Sequence, residues 1–365
     1  MTESRLRRLE EFGQSIWYDN IRRGILRSGE LARLVEEDGI SGVTSNPSIF
    51  EKAVGNSTDY DEAIRRAVAR GAGVAELYEE LVLEDIRLAA DILRPVHEAT
   101  AGRDGYVSVE VAPALAHDAT GTVAQARELF RRVGRPNVMI KVPATPEGYE
   151  AIRSLTADGI NVNATLIFSG SQYEGVVEAY LRGLEERRRR GEGAPQRITS
   201  VASVFVSRMD TAVDRVLTAR DDAEGRGLLG RAAIANAKLI YQRFRELFAS
   251  KRFQALGARV QRPLWASTST KNPAYRDVRY VEELIGPHTV NTLPPETIAA
   301  FRDHGEVRPT LEEDLERARR TVERLRGLGI DLETVGEQLL AEGVRSFQAS
   351  FDQLWATLRE KGGAA

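Results

Sequence analysis

The stretch "VMIKVPATPEGYEAI" occupies residues 138–152. Its first five residues read as a short apolar strand. Successive side chains of a strand point to opposite faces, so Val138, Ile140 and Val142 share one face, and Met139 and Lys141 the other. An isolated ammonium inside such a strand is costly unless it is paired or gives up its proton. Lys141 is therefore either half of a structural Lys–Glu pair or a reactive amine, and the residue alone does not decide between them. The remainder, "PATPEGYEAI", reads as the turn and start of the next helix.

Outward from this stretch, short β-rich runs alternate with helical patterns. The strand runs are 15–19, 42–46, 106–111, 138–142, 160–168, 198–206, 264–268 and 288–292. Between them lie segments such as "TVAQARELFRRV" and "YEGVVEAYLRGLEERR", apolar at three- and four-residue spacings. Eight strands with helical crossovers predict a parallel sheet closed into a (β/α)8 TIM barrel, an α/β fold that needs about 250 residues. The surplus is expected in extra helices at 58–100, 229–254 and 309–360. No Pro/Gly/Ser linker divides the chain, so residues 1–365 read as one domain, with 309–365 a C-terminal helical extension. The stripe Val344, Phe347, Phe351, Leu354, Trp355 and Leu358 is expected to pack that extension on the barrel.

Composition narrows the function. The chain has 365 residues, 42% of them hydrophobic, with 51 Lys plus Arg against 54 Asp plus Glu and a net charge of −3. This balance favours neither nucleic acid nor an anionic membrane as partner. The run Arg187–Arg190 reads as the cationic end of a helix before Gly191. There is no cysteine, which rules out disulfides, thiolate metal sites and Cys nucleophiles. His97, His117, His288 and His304 form no metal-ligand spacing, so neither a metal nor a cofactor is expected. "MTESRLRRLEEF" carries no apolar core of a secretory signal, and the reading is a cytoplasmic protein.

Alternation within the strands singles out candidate site residues. Glu110 is in phase with Ser108, Thr165 with Asn163 and Asn161, and Phe205 with Ser203 and Val201. Asp19 shares parity with Trp17, Asn46 with Thr44, and Ser267 with Trp265. One face of each strand thus suits an outer helix layer. The other carries a polar or ionisable group near the strand's C-terminal end, where a barrel holds its catalytic groups. Asp19, Asn46, Glu110, Lys141, Asn163, Thr165 and Ser203 would converge there.

That set permits amine chemistry. A poorly hydrated lysine can attack a ketone and form a Schiff base, and the iminium then weakens the neighbouring C–C bond without a metal. Asp19 and Glu110 could move the protons this requires. Asn46 and Asn163 could hold substrate hydroxyls, and Arg208, just past Ser203, could clamp a phosphate.

"GVTSNPSIF" (42–50) and "MIKVPATPEGYEAI" (139–152) resemble the two signatures of the transaldolase family. "GINVNATLIFS", "SVFVSRMD" and "LWASTSTKNP" extend the similarity in order over residues 10–300 or so. The resemblance implies a class I aldolase-type barrel of the longer bacterial kind. Such an enzyme moves a dihydroxyacetone unit from sedoheptulose 7-phosphate to glyceraldehyde 3-phosphate in the non-oxidative pentose phosphate pathway, giving erythrose 4-phosphate and fructose 6-phosphate. By the same resemblance Lys141 forms the Schiff base, Asp19 is the acid/base of C–C cleavage, and Glu110 with Thr165 relays protons in imine formation. Asn46, Asn163 and Ser203 would hold the dihydroxyacetone moiety, and Arg208 the phosphate, with Ser267 retained as a further substrate-binding residue. Phe205 is linked with transfer, where a Tyr is linked with simple aldol cleavage. The chain departs from the family at Ser269, where many members carry a second phosphate-binding Arg. Lys271 is the nearby candidate replacement, as a point charge or merely a solvated loop residue. Sugar phosphates are the implied partners, and a homodimer is left open. The alternatives are an aldolase releasing free dihydroxyacetone and a non-catalytic sugar-phosphate-binding barrel.

Overall fold

The computed structural model describes residues 4–363 except residue 221. Eight parallel strands close on themselves in sequence order: β1 (Gln14–Tyr18), β2 (Ile40–Val43), β3 (Tyr106–Glu110), β4 (Val138–Pro143), β5 (Val162–Ile167), β6 (Ser200–Phe205), β7 (Arg262–Ala266) and β8 (Thr289–Leu293). β1 closes the barrel by pairing along its whole length with β8, from Gln14 opposite Thr289 to Tyr18 opposite Leu293. The expected strands are all present, with ends displaced by at most two or three residues.

Local signals fix where the helices begin. Thr145 caps the helix Pro146–Ala157 by accepting from the Gly148 amide, with proline at the first helical position. Ser169 and Gln172 form a reciprocal capping box on the helix Gly170–Arg190. That helix ends at Gly191 with φ 70°. Its arginine run is spent on local partners, Arg190 pairing with Glu186 and Asp158 and Arg188 bonding the Ala255 carbonyl.

The register separates inward from outward side chains. Glu110, Lys141 and Asn163 stand at one level of adjacent strands, followed by Val201 and Arg262. The lower interior is filled by Trp17, which leaves no room at Gly42: a Cβ there would lie 2.4 Å from the indole. Beneath it the buried pair Arg262–Asp104 closes at 2.9 Å. Trp17 Nε1 and Ser15 Oγ also donate to Asp104, at 3.0 and 2.8 Å.

Simple alternation fails at two strand ends. Trp265 pairs with Val204 and Asn291, on the outer face, so Ser267 does not reach the interior by sharing Trp265's parity. Ser267 instead adopts a left-handed backbone, φ 55°, which re-aims the chain into the mouth. Likewise β2 ends at Val43, and Asn46 is placed as the N-cap of the helix Pro47–Gly55, not as a strand residue.

The extra helices fall where expected, at Asp61–Ala69 and Val74–Ala99, at Ala232–Phe248, and at Leu315–Gly327 and Leu332–Lys361. The last, here the terminal helix, crosses the C-terminal rim of the barrel against Pro47–Gly55 and the end of β5. Two glycines allow the approach. A Cβ at Gly343 would sit 2.9 Å from Leu166, and one at Gly336 would sit 2.7 Å from the Ser169 side chain. Phe347, Leu354 and Leu358 are buried, while Phe351 and Trp355 pack on Tyr78 at ring distances of 5.2 and 6.1 Å. Among the described residues no helix is long and apolar enough to cross a membrane.

Candidate active site

A cavity of about 650 Å³ opens at the C-terminal end of the strands, well within the size of small-molecule sites. Asp19, Asn46, Lys141, Thr165, Ser203, Phe205, Arg208, Ser267 and Lys271 all line it. Glu110 and Asn163 do not line it, and stand behind Lys141 in the wall.

Lys141 is the deepest charge. Its side chain is 5% exposed, and its Nζ lies 3.4 Å from Glu110 Oε2, itself on a side chain 7% exposed. Nζ also donates to the Ser45 carbonyl at 3.1 Å. That carbonyl is offered because the chain leaves β2 early to start its helix, with Ser45 Oγ anchored on the Ser108 carbonyl at 2.7 Å. Burial raises the Glu110 carboxyl above its ordinary range, and the Lys141 charge pulls it only partly back. Neither Glu110 Oε2 nor Thr165 Oγ1 has a hydrogen-bond partner among the described residues.

Asp19 stands at the end of β1, its amide donating to the Leu293 carbonyl at 2.8 Å. Thr44 Oγ1 donates to Asp19 Oδ1 at 2.7 Å and sits 2.6 Å from Thr292 Oγ1. Burial again raises this carboxyl, with the Thr44 hydrogen bond and the Lys141 charge opposing. Asp19 and Glu110 thus each hold a proton more readily than a solvated carboxyl would.

Asn163 is fixed from both sides, its amide donating to Ser108 Oγ at 3.0 Å and its carbonyl accepting from Ser203 Oγ at 2.6 Å. Asn46 spends its carbonyl oxygen on the Ile49 amide, at 3.0 Å. Its NH2 group makes no hydrogen bond among the described residues, and the side chain borders the cavity. At the opposite rim Ser267 contacts Ser207 Oγ at 2.9 Å, and Lys271 donates to Ser269 Oγ at 2.6 Å. Lys271 is exposed, but it and Ser269 both border the cavity. Arg208 is half-buried, and burial lowers its pKa, partly offset by Glu342.

Four contributors escaped the sequence reading. Thr44 and Thr292 shared the inward parity of "GVTSN" and "HTVNT" and could have been found there. The Ser45 carbonyl is backbone and leaves no side-chain signal. Phe347 comes from the terminal helix, its ring centroid 6.0 Å from Lys141 Nζ.

With this geometry in hand, comparison with known proteins is specific. Residues 16–358 match the family described as Transaldolase/Fructose-6-phosphate aldolase. The chain is 48% identical over 378 residues to "Transaldolase 2" of Nostoc punctiforme, which covers 99% of this chain and 98% of the relative. It is 49% identical over 353 residues to the "Transaldolase" of Thiobacillus denitrificans, covering 96% and 98%. Identity to the "Transaldolase" of Saccharopolyspora erythraea is 48% over 364 residues, covering 99% and 98%.

Proposed function

Because this chain belongs to the transaldolase/fructose-6-phosphate aldolase family and is a transaldolase enzyme of the pentose phosphate pathway acting on sugar phosphates, we propose that the cavity at Lys141 is its active site and that Lys141 carries the dihydroxyacetone unit as a Schiff base. The observation that supports this most directly is the barely exposed Lys141 amine at the floor of the cavity, 3.4 Å from a carboxyl that burial biases toward the protonated form.

One proton passes from the ammonium to Glu110, whose carboxyl burial makes readier to accept it, so that two buried charges become two neutral groups. The neutral Nζ attacks the C2 carbonyl of the ketose phosphate. The N–C bond forms, the carbonyl π bond breaks, and the oxygen takes a proton from the Glu110–Thr165 side. The nitrogen, which after the attack carries two hydrogens and a positive charge, gives one proton back to the Glu110 carboxylate; that proton passes on to the hydroxyl, which leaves as water while the freed nitrogen lone pair closes the iminium. The Asp19 carboxylate then takes the C4 hydroxyl proton. C4 becomes an aldehyde as the C3–C4 bond breaks, and its electron pair moves onto the iminium nitrogen, leaving an enamine. The first aldose phosphate departs. The acceptor aldose phosphate accepts C3 of the enamine at its aldehyde carbon, and Asp19 returns its proton to the new alkoxide. Water releases the product ketose and the free amine. The raised pKa of Asp19 suits a group that must both take and give a proton. Every group in this scheme comes from one chain.

We further propose sedoheptulose 7-phosphate and fructose 6-phosphate as the donors, with Asn46, Asn163, Ser203 and Ser267 holding the dihydroxyacetone hydroxyls and Arg208 the phosphate, assisted by Lys271. Borohydride reduction with fructose 6-phosphate, followed by peptide mass spectrometry, should place a dihydroxyacetone adduct on Lys141. An adduct elsewhere, or none, would sink the scheme. Turnover of fructose 6-phosphate should depend on an added acceptor aldose. Equal turnover without acceptor would assign the aldolase reaction instead.

A further inference from the structure

We propose that Phe347, supplied by the terminal helix, is a specificity-determining residue that positions Arg208 for a substrate phosphate, so that this helix selects phosphorylated acceptors. The proposal rests on the reading of Arg208 as the phosphate contact.

Arg208 is a cation of the cavity wall held by no polar partner. It makes no hydrogen bond or ion pair among the described residues. Two rings bound it, with the Glu342 charge acting on it but forming no ion pair with it. The guanidinium carbon lies 5.4 Å from the Phe205 ring centroid and 6.0 Å from that of Phe347. Both distances fall in the range where a guanidinium is held over a ring face. A planar fork aimed at a phosphate is useful only if its plane is set beforehand, since an unrestrained arginine spends part of the binding free energy on its own ordering. Two ring faces can set that plane while leaving all five N–H donors free for the anion. A carboxylate partner would do the opposite, occupying the donors and cancelling the charge.

The two rings have different origins. Phe205 ends β6 and is fixed by the barrel. Phe347 stands on the terminal helix, 3% exposed, with its ring also 6.0 Å from Lys141 Nζ. Among the described residues it is therefore the one aromatic group in the cavity wall with a ring contact to both Lys141 Nζ and Arg208. Its place is fixed by the close helix–barrel approach at Gly343, one turn earlier.

The experiment compares the wild type with Phe347→Leu, which keeps apolar volume but loses the ring, and with Phe347→Tyr, which restores a ring face toward a roomy cavity. Acceptor kinetics are measured at saturating fructose 6-phosphate, with erythrose 4-phosphate and with unphosphorylated D-glyceraldehyde. In Phe347→Leu the KM for the phosphorylated acceptor should rise roughly 3- to 30-fold. The KM for D-glyceraldehyde should stay within about twofold, and Phe347→Tyr should recover most of the loss. Binding of inorganic phosphate, followed by calorimetry on the same proteins, should weaken in parallel. Equal losses for both acceptors, unchanged phosphate binding in Phe347→Leu, or a Tyr variant no better than Leu would each overturn the proposal. Absence of a Lys141 adduct in the borohydride experiment would instead overturn the Schiff-base reading, leaving the phosphate-binding result to decide this one.

Discussion

The barrel interior contains two buried cation–carboxylate pairs, one at each end. At the N-terminal end Arg262 and Asp104 meet at 2.9 Å, and Asp104 accepts further hydrogen bonds from Trp17 and Ser15. The arginine and these donors outweigh burial and hold the Asp104 carboxyl below the ordinary range. At the mouth Lys141 and Glu110 meet at 3.4 Å, one Glu110 oxygen has no hydrogen bond, and burial wins, raising the carboxyl. The ingredients are alike. The number of satisfied hydrogen bonds differs, and with it the ease of moving a proton. A fully satisfied pair is a structural clasp, whereas an under-satisfied one leaves its carboxyl readier to take a proton.

The largest effect expected from breaking this contrast is at the mouth. Lys141→Ala should reduce transfer by at least about 10⁴-fold while leaving the circular dichroism native, and residual normal turnover would refute its assignment. Next comes the opposite clasp. Arg262→Ala strands Asp104 in the interior and should cost roughly 3–5 kcal/mol in urea unfolding, with kcat per folded molecule unchanged. A smaller response is expected from Glu110→Gln, which is nearly isosteric. Imine formation in single turnover should slow about 10²-fold, while the urea midpoint holds or rises. Unaltered imine formation would remove Glu110 from the proton relay.

The smallest effect sharpens the same contrast with a carboxylate that forms no ion pair among the described residues, Arg279 acting on it only from a distance. Asp210 accepts from the Ala233 amide and the Tyr280 hydroxyl, both at 2.7 Å, and burial pushes its pKa up to about 6 from 3.8. The folded state binds its proton more tightly than the unfolded chain, so its contribution to stability is fully present below about pH 4 and is lost as pH rises to about 6. Asp104 has the opposite sign: its stabilisation is present above about pH 4 and is lost as pH falls below that. Urea unfolding of Asp210→Asn between pH 4 and pH 7 should therefore show a gain over wild type that grows with pH, on the order of 2–3 kcal/mol. A pH-independent difference would show that the buried carboxylate is not titrating in this window.

The legibility of these features in sequence follows their physics. The eight strands and the inward set Glu110, Lys141, Asn163, Thr165, Ser203 and Phe205 could be read because period-two alternation is a property of each strand alone. Ser267 could not be placed that way, because one left-handed residue breaks the alternation it was assigned by. Nor could Phe347, whose apolar stripe looks the same whether it packs on a helix or overhangs a cavity. The division of Glu110 and Asn163 into the wall, and of Lys141 and Ser203 onto its surface, depends on side-chain reach and not on pattern. Proton affinities were beyond sequence altogether, since they depend on the hydrogen bonds each carboxyl ends up receiving.

One backbone contact sets the order of events in making the site. The Asp19 amide is held by the Leu293 carbonyl, a pairing that brings together the first strand and the eighth. On the ribosome Asp19, the proposed acid/base group, emerges early and waits for nearly the whole barrel before its partner exists. Contacts of such long sequence separation are slow to form and come late. Catalysis is therefore a reporter of closure: activity should return in refolding only with the last strand's docking, after most helical signal has already recovered.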